Sequence, residues 1–116
     1  MQRETLDTEY IEQVTDTFLK TVSAFSNGEG GVITFGITDD QKVVGLSNPE
    51  RAALQIENKI NDSIQPLPQY RIHIDTENKT VSLQISEGPF NPYYWRNKAY
   101  IRHNSSSVEM DMILNS

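Results

Sequence analysis

Residues 18–36, F-L-K-T-V-S-A-F-S-N-G-E-G-G-V-I-T-F-G, constrain the fold more than any other stretch. Val14, Phe18, Val22 and Phe25 recur at three- and four-residue steps, with Leu19 widening the apolar face, so the spacing predicts an amphipathic helix. Ser26, Asn27 and Gly28 then stop it, because Asn and Gly tolerate the left-handed conformation a helix C-terminus often takes. Val32, Ile33, Thr34 and Phe35 are β-branched or aromatic, as in a strand covered on both faces. A helix that runs through glycines into a buried strand brings backbone close to another strand or to a ligand.

The remaining elements are read around this unit. Between residues 3 and 12 a partial alternation suggests a short strand, and Thr15 or Asp16 is the expected N-cap of the helix. Thr38, Asp39, Asp40, Gln41 and Lys42 form a polar turn, with residues 43–46 expected to pair back as a hairpin. Asn48-Pro49-Glu50 is a helix start: Asn caps, Pro fits the first turn and Glu suits the positive end. The helix runs through Ala53, Ile56, Ile60 and Ile64 to Pro66. Tyr70, Ile72 and Ile74 alternate with Arg71, His73 and Asp75, and Val81, Leu83 and Ile85 alternate with polar residues, giving two antiparallel strands around a tight turn. Residues 93–102 read as a hairpin about Arg96-Asn97-Lys98, residues 103–107 as polar and short-chained, and residues 108–114 as either a final short helix or a segment cut from a longer chain. The fold class is α/β (α+β): a mixed sheet with two main helices largely on one face and a C-terminal β-hairpin.

With 116 residues the chain is one domain, residues 1–116. It has no cysteine, which excludes disulfides and thiolate metal sites, and only two histidines, His73 and His103. No apolar run reaches the length of a membrane span and the first residues are polar, so no membrane partner and a cytoplasmic location are expected. The formal net charge of −6 argues against nucleic-acid binding by the whole surface. Residues 96–103, however, hold Arg96, Lys98, Arg102 and His103 with no acid among them. A local patch acts even when the total charge opposes it.

The succession T-V-S-A-F-S-N, G-G-V-I-T-F-G-I-T-D-D and V-V-G-L, followed by P-F-N-P-Y-Y-W and Y-I-R-H-N-S-S-S, resembles the Schlafen-type AlbA-like domain. The resemblance runs from about Glu4 to Ser107. It implies a DNA- or RNA-binding module, often the N-terminal part of a longer transcriptional regulator or helicase-like protein. Some eukaryotic Schlafen members cleave tRNA or rRNA with a carboxylate triad; the matching positions here are Glu4, Glu9 and an acid of Asp39-Asp40.

Three sets of residues are candidates for chemistry. Tyr94, Arg96, Lys98, Tyr100 and Arg102, with Ser105 and Ser106, could bind nucleic acid, since rings stack on bases and cations follow phosphates. The ordinary alternative is a hairpin with its rings in the core and its cations in solvent. Glu4, Glu9 and Asp39 could hold Mg²⁺ or Mn²⁺ through oxygen ligands, against the plain reading of solvated acids. The loop of Gly28, Gly30 and Gly31 lacks a Walker lysine and follows a helix C-terminus, the wrong pole for phosphate. The favoured reading is therefore a nucleic-acid-binding module with no resident cofactor. A homodimer formed near residues 32–35 is the expectation if that binding is absent.

Overall fold

The computed structural model describes residues 5–110, in the order β1 (Thr8–Ile11), α1 (Phe18–Ser26), β2 (Gly31–Phe35), α2 (Pro49–Ser63), β3 (Ile64–Gln65), β4 (Tyr70–Asp75), β5 (Thr80–Ile85), β6 (Tyr94–Trp95), β7 (Lys98–His103) and β8 (Ser106–Glu109). Glu4, Met112, Ile113 and Leu114 lie outside the described residues.

The expected α+β architecture is present, with two helices, a mixed sheet and a C-terminal hairpin. The strands divide into two four-stranded sheets, ordered β1-β2-β5-β4 and β3-β6-β7-β8. In the first, β1 runs parallel to β2, with Thr8 opposite Val32, and the other pairings are antiparallel. β2 is interior to the sheet, with β1 on one side and β5 on the other, but of its two faces only that of Ile33 and Phe35 is fully buried; Val32 and Thr34 on the other are half-buried. The second sheet is antiparallel throughout.

α1 packs against strands of both sheets, which explains its composition. Phe18, Leu19, Val22 and Phe25 are buried, and so are Thr21, Ser23 and Ser26. Phe18 meets Phe35 edge-on, with ring centroids 5.2 Å apart. A helix covered on all sides carries small polar residues rather than a solvent face; the Thr21 and Ser23 hydroxyls find partners, and the Ser26 hydroxyl has none among the described residues. α2 is the conventional amphipathic helix: Ala52, Ile56 and Ile60 are buried, Pro49 opens it, and Asn48 Oδ1 accepts the Arg51 N–H at 3.0 Å.

Four local expectations are corrected. α1 begins at Phe18, because Asp16 turns to Lys59 on α2 and Thr17 makes no side-chain cap. Asn27 is right-handed (φ −84°) and closes the helix with its backbone N–H, which donates to the Ser23 carbonyl at 3.0 Å; the left-handed turn comes at Gly30 (φ +83°), where a Cβ would sit 2.5 Å from the Ile85 carbonyl oxygen. Residues 43–46 pair back only at Val43, in an isolated antiparallel bridge with Ile37, and do not extend into a strand. Val44 and Gly45 N–H both donate to the Gly36 carbonyl, and Leu46 N–H leaves for the Lys79 carbonyl. Residues 106–109 are β8, paired with β7 after a turn in which Asn104 has φ +57°, so Val108 sits in a strand rather than a helix.

Candidate nucleic-acid interface

The hairpin that carries the basic and aromatic residues is held by the last turn of α1. Ser23 and Asn27 are four apart and so share a helix face. Ser23 Oγ donates to the Tyr93 carbonyl (2.8 Å) and accepts the Tyr100 N–H (3.1 Å). Asn27 Nδ2 donates to the carbonyls of Tyr93 (3.0 Å) and Tyr100 (2.9 Å), while its Oδ1 accepts the Tyr93 N–H (2.6 Å). These bonds replace water on backbone groups that burial would otherwise leave unpaired. Tyr93, Trp95 and Tyr100 are thereby tucked inside. Tyr93 packs so closely on Gly88 that a Cβ there would lie 2.1 Å from Tyr93 Oη.

Arg102 is also inward, with a side chain only 4% exposed beside Glu9 at 16%. All five guanidinium donors are used. One N–H of Nη1 goes to Glu9 Oε1 (2.8 Å) and the other to Ser107 Oγ (3.1 Å). Nε and Nη2 donate to the Thr5 carbonyl (3.2 and 3.0 Å), and Nη2 also to the Thr8 carbonyl (3.1 Å). Thr21 Oγ1 donates to Glu9 Oε1 at 3.0 Å and lies 2.8 Å from Ser107 Oγ. This network ties β1 of the first sheet to α1 and to β7 and β8 of the second.

The expectation that rings and cations share one outward face is therefore corrected. Tyr100 and Arg102 point into the fold, where the Ser23 and Asn27 side chains of α1 bond the backbone of one and β1 offers a carboxylate to the other. What remains outside is the end of the hairpin. Arg96 and Asn97 form its two-residue turn with φ of 52° and 65°, the positive pair that a type I′ hairpin requires. Tyr94 is 42% exposed. The side chains of Arg96 and Lys98 are 67% and 56% exposed. Arg96 stacks its guanidinium 4.4 Å from the Trp95 ring centre and lies 3.8 Å from Asp16 Oδ2. Lys98 Nζ lies 3.2 Å from Glu109. Lys59 bonds Asp16, and this contact, its charge and more weakly that of Arg96 hold the Asp16 carboxyl below its ordinary 3.8. Between α2 and the turn is a cleft of about 460 Å³, lined by Lys59, Gln65, Tyr94, Arg96 and Asn97 together with Asp16, Asp62, Leu19 and Trp95.

Ser105 lies in the β7–β8 turn and Ser106 opens β8, both exposed. Asp39 sits in the 38–42 turn, where Asp40 receives the Thr38 hydroxyl. Among the described residues no three His, Asp or Glu side chains gather as a metal site would, and Glu9 is taken up by Arg102 and Thr21. Sequence reasoning missed Ser23 and Asn27 as the residues that position the hairpin. Their signal was two polar side chains, four apart, in a helix whose other positions are mostly apolar.

Comparison with known proteins agrees with this fold. A family model described as Schlafen, AlbA_2 matches residues 4–111. No curated protein matches the sequence. Among solved structures, DIP2311 from Corynebacterium diphtheriae is 14% identical with a TM-score of 0.68, over 90% of this chain and 22% of its own length. The N-terminal domain of a protein related to the ATP-dependent DNA helicase RecG, from Nitrosomonas europaea, is 18% identical with a TM-score of 0.55, over 90% of this chain and 80% of that one. The chain thus spans less than a quarter of the first neighbour, and both likenesses are likenesses of fold. With the family match covering nearly all of its length, the chain belongs to the Schlafen AlbA_2 family.

Proposed function

We propose that this domain is a nucleic-acid-binding module that engages a strand with the exposed end of its β6–β7 hairpin. The observation that carries the reading is Tyr94, an exposed ring on a strand whose turn and partner strand supply Arg96 and Lys98. A base stacks on such a ring while the two cations meet the flanking phosphates. Their carboxylate neighbours, Asp16 and Glu109, are in contact with water, and exposed ion pairs hold a cation by less than about 1 kcal/mol. Phosphates can therefore displace them, whereas Arg102, fixed by five donors, stays where it is. The description of the Nitrosomonas europaea neighbour as related to a DNA helicase supports a nucleic-acid role for the family's shared fold. In a longer protein the domain serves as the part that touches DNA or RNA.

Fluorescence anisotropy on single-stranded DNA, single-stranded RNA and duplex DNA, titrated with salt, tests the proposal. Binding should weaken with salt, and the log–log slope on a single strand should fall by about 0.7 for each of Arg96 and Lys98 changed to Gln. Tyr94→Ala should reduce affinity by about 5- to 100-fold. The reading fails if none of the three ligands binds in a salt-dependent way at low ionic strength, or if Tyr94→Ala binds like the unaltered protein.

A further inference from the structure

The first sheet ends on β4, and no described strand pairs with its outer edge. The Gln69 carbonyl accepts the Ser86 N–H at 3.0 Å, and Tyr70 lies opposite Ile85. In an antiparallel ladder residues facing inward and outward alternate, so Arg71, His73 and Asp75 direct their backbone groups to β5. Tyr70, Ile72 and Ile74 direct theirs to the open edge. That edge contains no proline, glycine or bulge, the usual devices that blunt one. The opposite edge of the sheet differs: there the Thr8 carbonyl on β1 is taken by Arg102.

The side chains of β4 show which occupant fits. Tyr70, Ile72 and Ile74 are only half-buried on the face toward α2, where exposed Leu54 adjoins them. Arg71 and His73 are exposed on the other face, and the Arg71 side chain makes no ion pair or hydrogen bond among the described residues. Asp75 carries a carboxyl held below its ordinary 3.8, chiefly by the Asn78 backbone N–H and side chain. The strand is thus self-complementary. A second copy, antiparallel about a two-fold axis at His73, sets Ile72 opposite the partner's Ile74 and Arg71 opposite the partner's Asp75, twice over. Shifting by one residue would put apolar side chains on the charged face. Shifting by two toward the N-terminus would oppose Arg71 to the partner's His73 and lose both ion pairs.

We propose that β4 is the surface through which two copies of this chain associate, joining their first sheets into one continuous eight-stranded sheet in that register. The outward backbone groups of Ile72 and Ile74 pair with those of the partner, and Arg71 gains the carboxylate it lacks in the single chain. β2 itself offers no free edge for the dimer expected near residues 32–35 and their neighbours, since it is paired on both sides.

The chain has no cysteine, so single-cysteine variants report the register directly. His73 would face its own copy in a non-hydrogen-bonded pair, about 4.5 Å between Cα atoms, within disulfide range. Sedimentation should give twice the 13.2 kDa chain mass at micromolar concentration. Mild oxidation should convert His73→Cys almost completely to a covalent dimer and leave Arg71→Cys, four residues from the partner residue it faces, largely uncrosslinked. Both sites are exposed, and circular dichroism checks that each variant is folded. A monomer throughout the micromolar range overturns the proposal. So does a dimer in which His73→Cys stays unbridged, or one that Arg71→Cys bridges instead.

Discussion

Replacing Arg102 by Met separates a structural cation from a nucleic-acid contact. The change keeps much of the apolar stem, whose guanidinium lies 5.3 Å from the Phe25 ring centre, and removes all five donors. Four acceptors lose bonds: the Thr5 and Thr8 carbonyls, Ser107 Oγ and Glu9 Oε1. Among the described residues Glu9 keeps only the Thr21 hydroxyl, at 16% exposure. Removing one partner of a buried ion pair costs about 3–5 kcal/mol. The residual access of Glu9 to water points to the lower end, about 3 kcal/mol. At about 4 °C per kcal/mol for a domain of this size, the melting temperature should fall by about 12 °C. Arg102→Lys keeps the charge but cannot span Glu9 and the two β1-side carbonyls, so it should lose about half as much. Glu9→Gln leaves a cation buried without its counter-charge and should resemble Arg102→Met. In a double-mutant cycle the two changes should couple by about 1–3 kcal/mol. Urea and thermal unfolding followed by circular dichroism give these numbers. An Arg102→Met protein that melts within two or three degrees of the unaltered one (by the same scaling, under about 1 kcal/mol) refutes the structural role.

Other perturbations test other joints. Asn27→Ala strips three bonds from buried backbone groups of Tyr93 and Tyr100 and should destabilise by about 2–4 kcal/mol in urea unfolding. Gly88→Ala drives a methyl group into the Tyr93 ring and should cost about 1–3 kcal/mol, partly relieved in a Gly88→Ala/Tyr93→Phe double variant that removes the nearest atom. Asp7, Asp16 and Asp75 are held below the ordinary 3.8, by the Thr5 and Thr8 hydroxyls, by Lys59 and by Asn78 respectively. Their contribution is full above the unfolded value and is lost as pH falls through the folded ones. Urea midpoints should therefore be level near neutrality and drop below about pH 4, and less steeply in Asp16→Asn; a midpoint that rises between pH 5 and 3 would contradict this.

Local patterns carried the elements whose determinants are local. The alternations at 70–75 and 81–85 gave β4 and β5, Asn48-Pro49 gave the start of α2, and the apolar run at 32–35 gave an interior strand. The failures at the start of α1 and around the hairpin share one physical origin, partners distant in sequence. Asp16 looked like a cap until Lys59, 43 residues on, drew it away. Arg102 sat in an acid-free segment and so read as surface, yet its carboxylate is 93 residues upstream. Asn27 read as a helix stop and Ser23 as an ordinary helix position, since Tyr93 and Tyr100, which they hold, follow 66 to 77 residues later. Tyr94 and Trp95 are neighbours of opposite fate, one exposed and one buried, which only the pairing of β6 with β7 and its packing on α1 decides.

The division of the hairpin into an outward tip and an inward root is tested most directly by a ¹H–¹⁵N NMR titration with a single-stranded oligonucleotide at low salt. Amide and side-chain shifts should concentrate on Tyr94, Arg96, Asn97 and Lys98, spread into the cleft at Lys59 and Gln65, and leave the Arg102 guanidinium and the Asn27 amide unmoved. Shifts centred on Arg102 and Glu9, with the tip silent, would contradict the account.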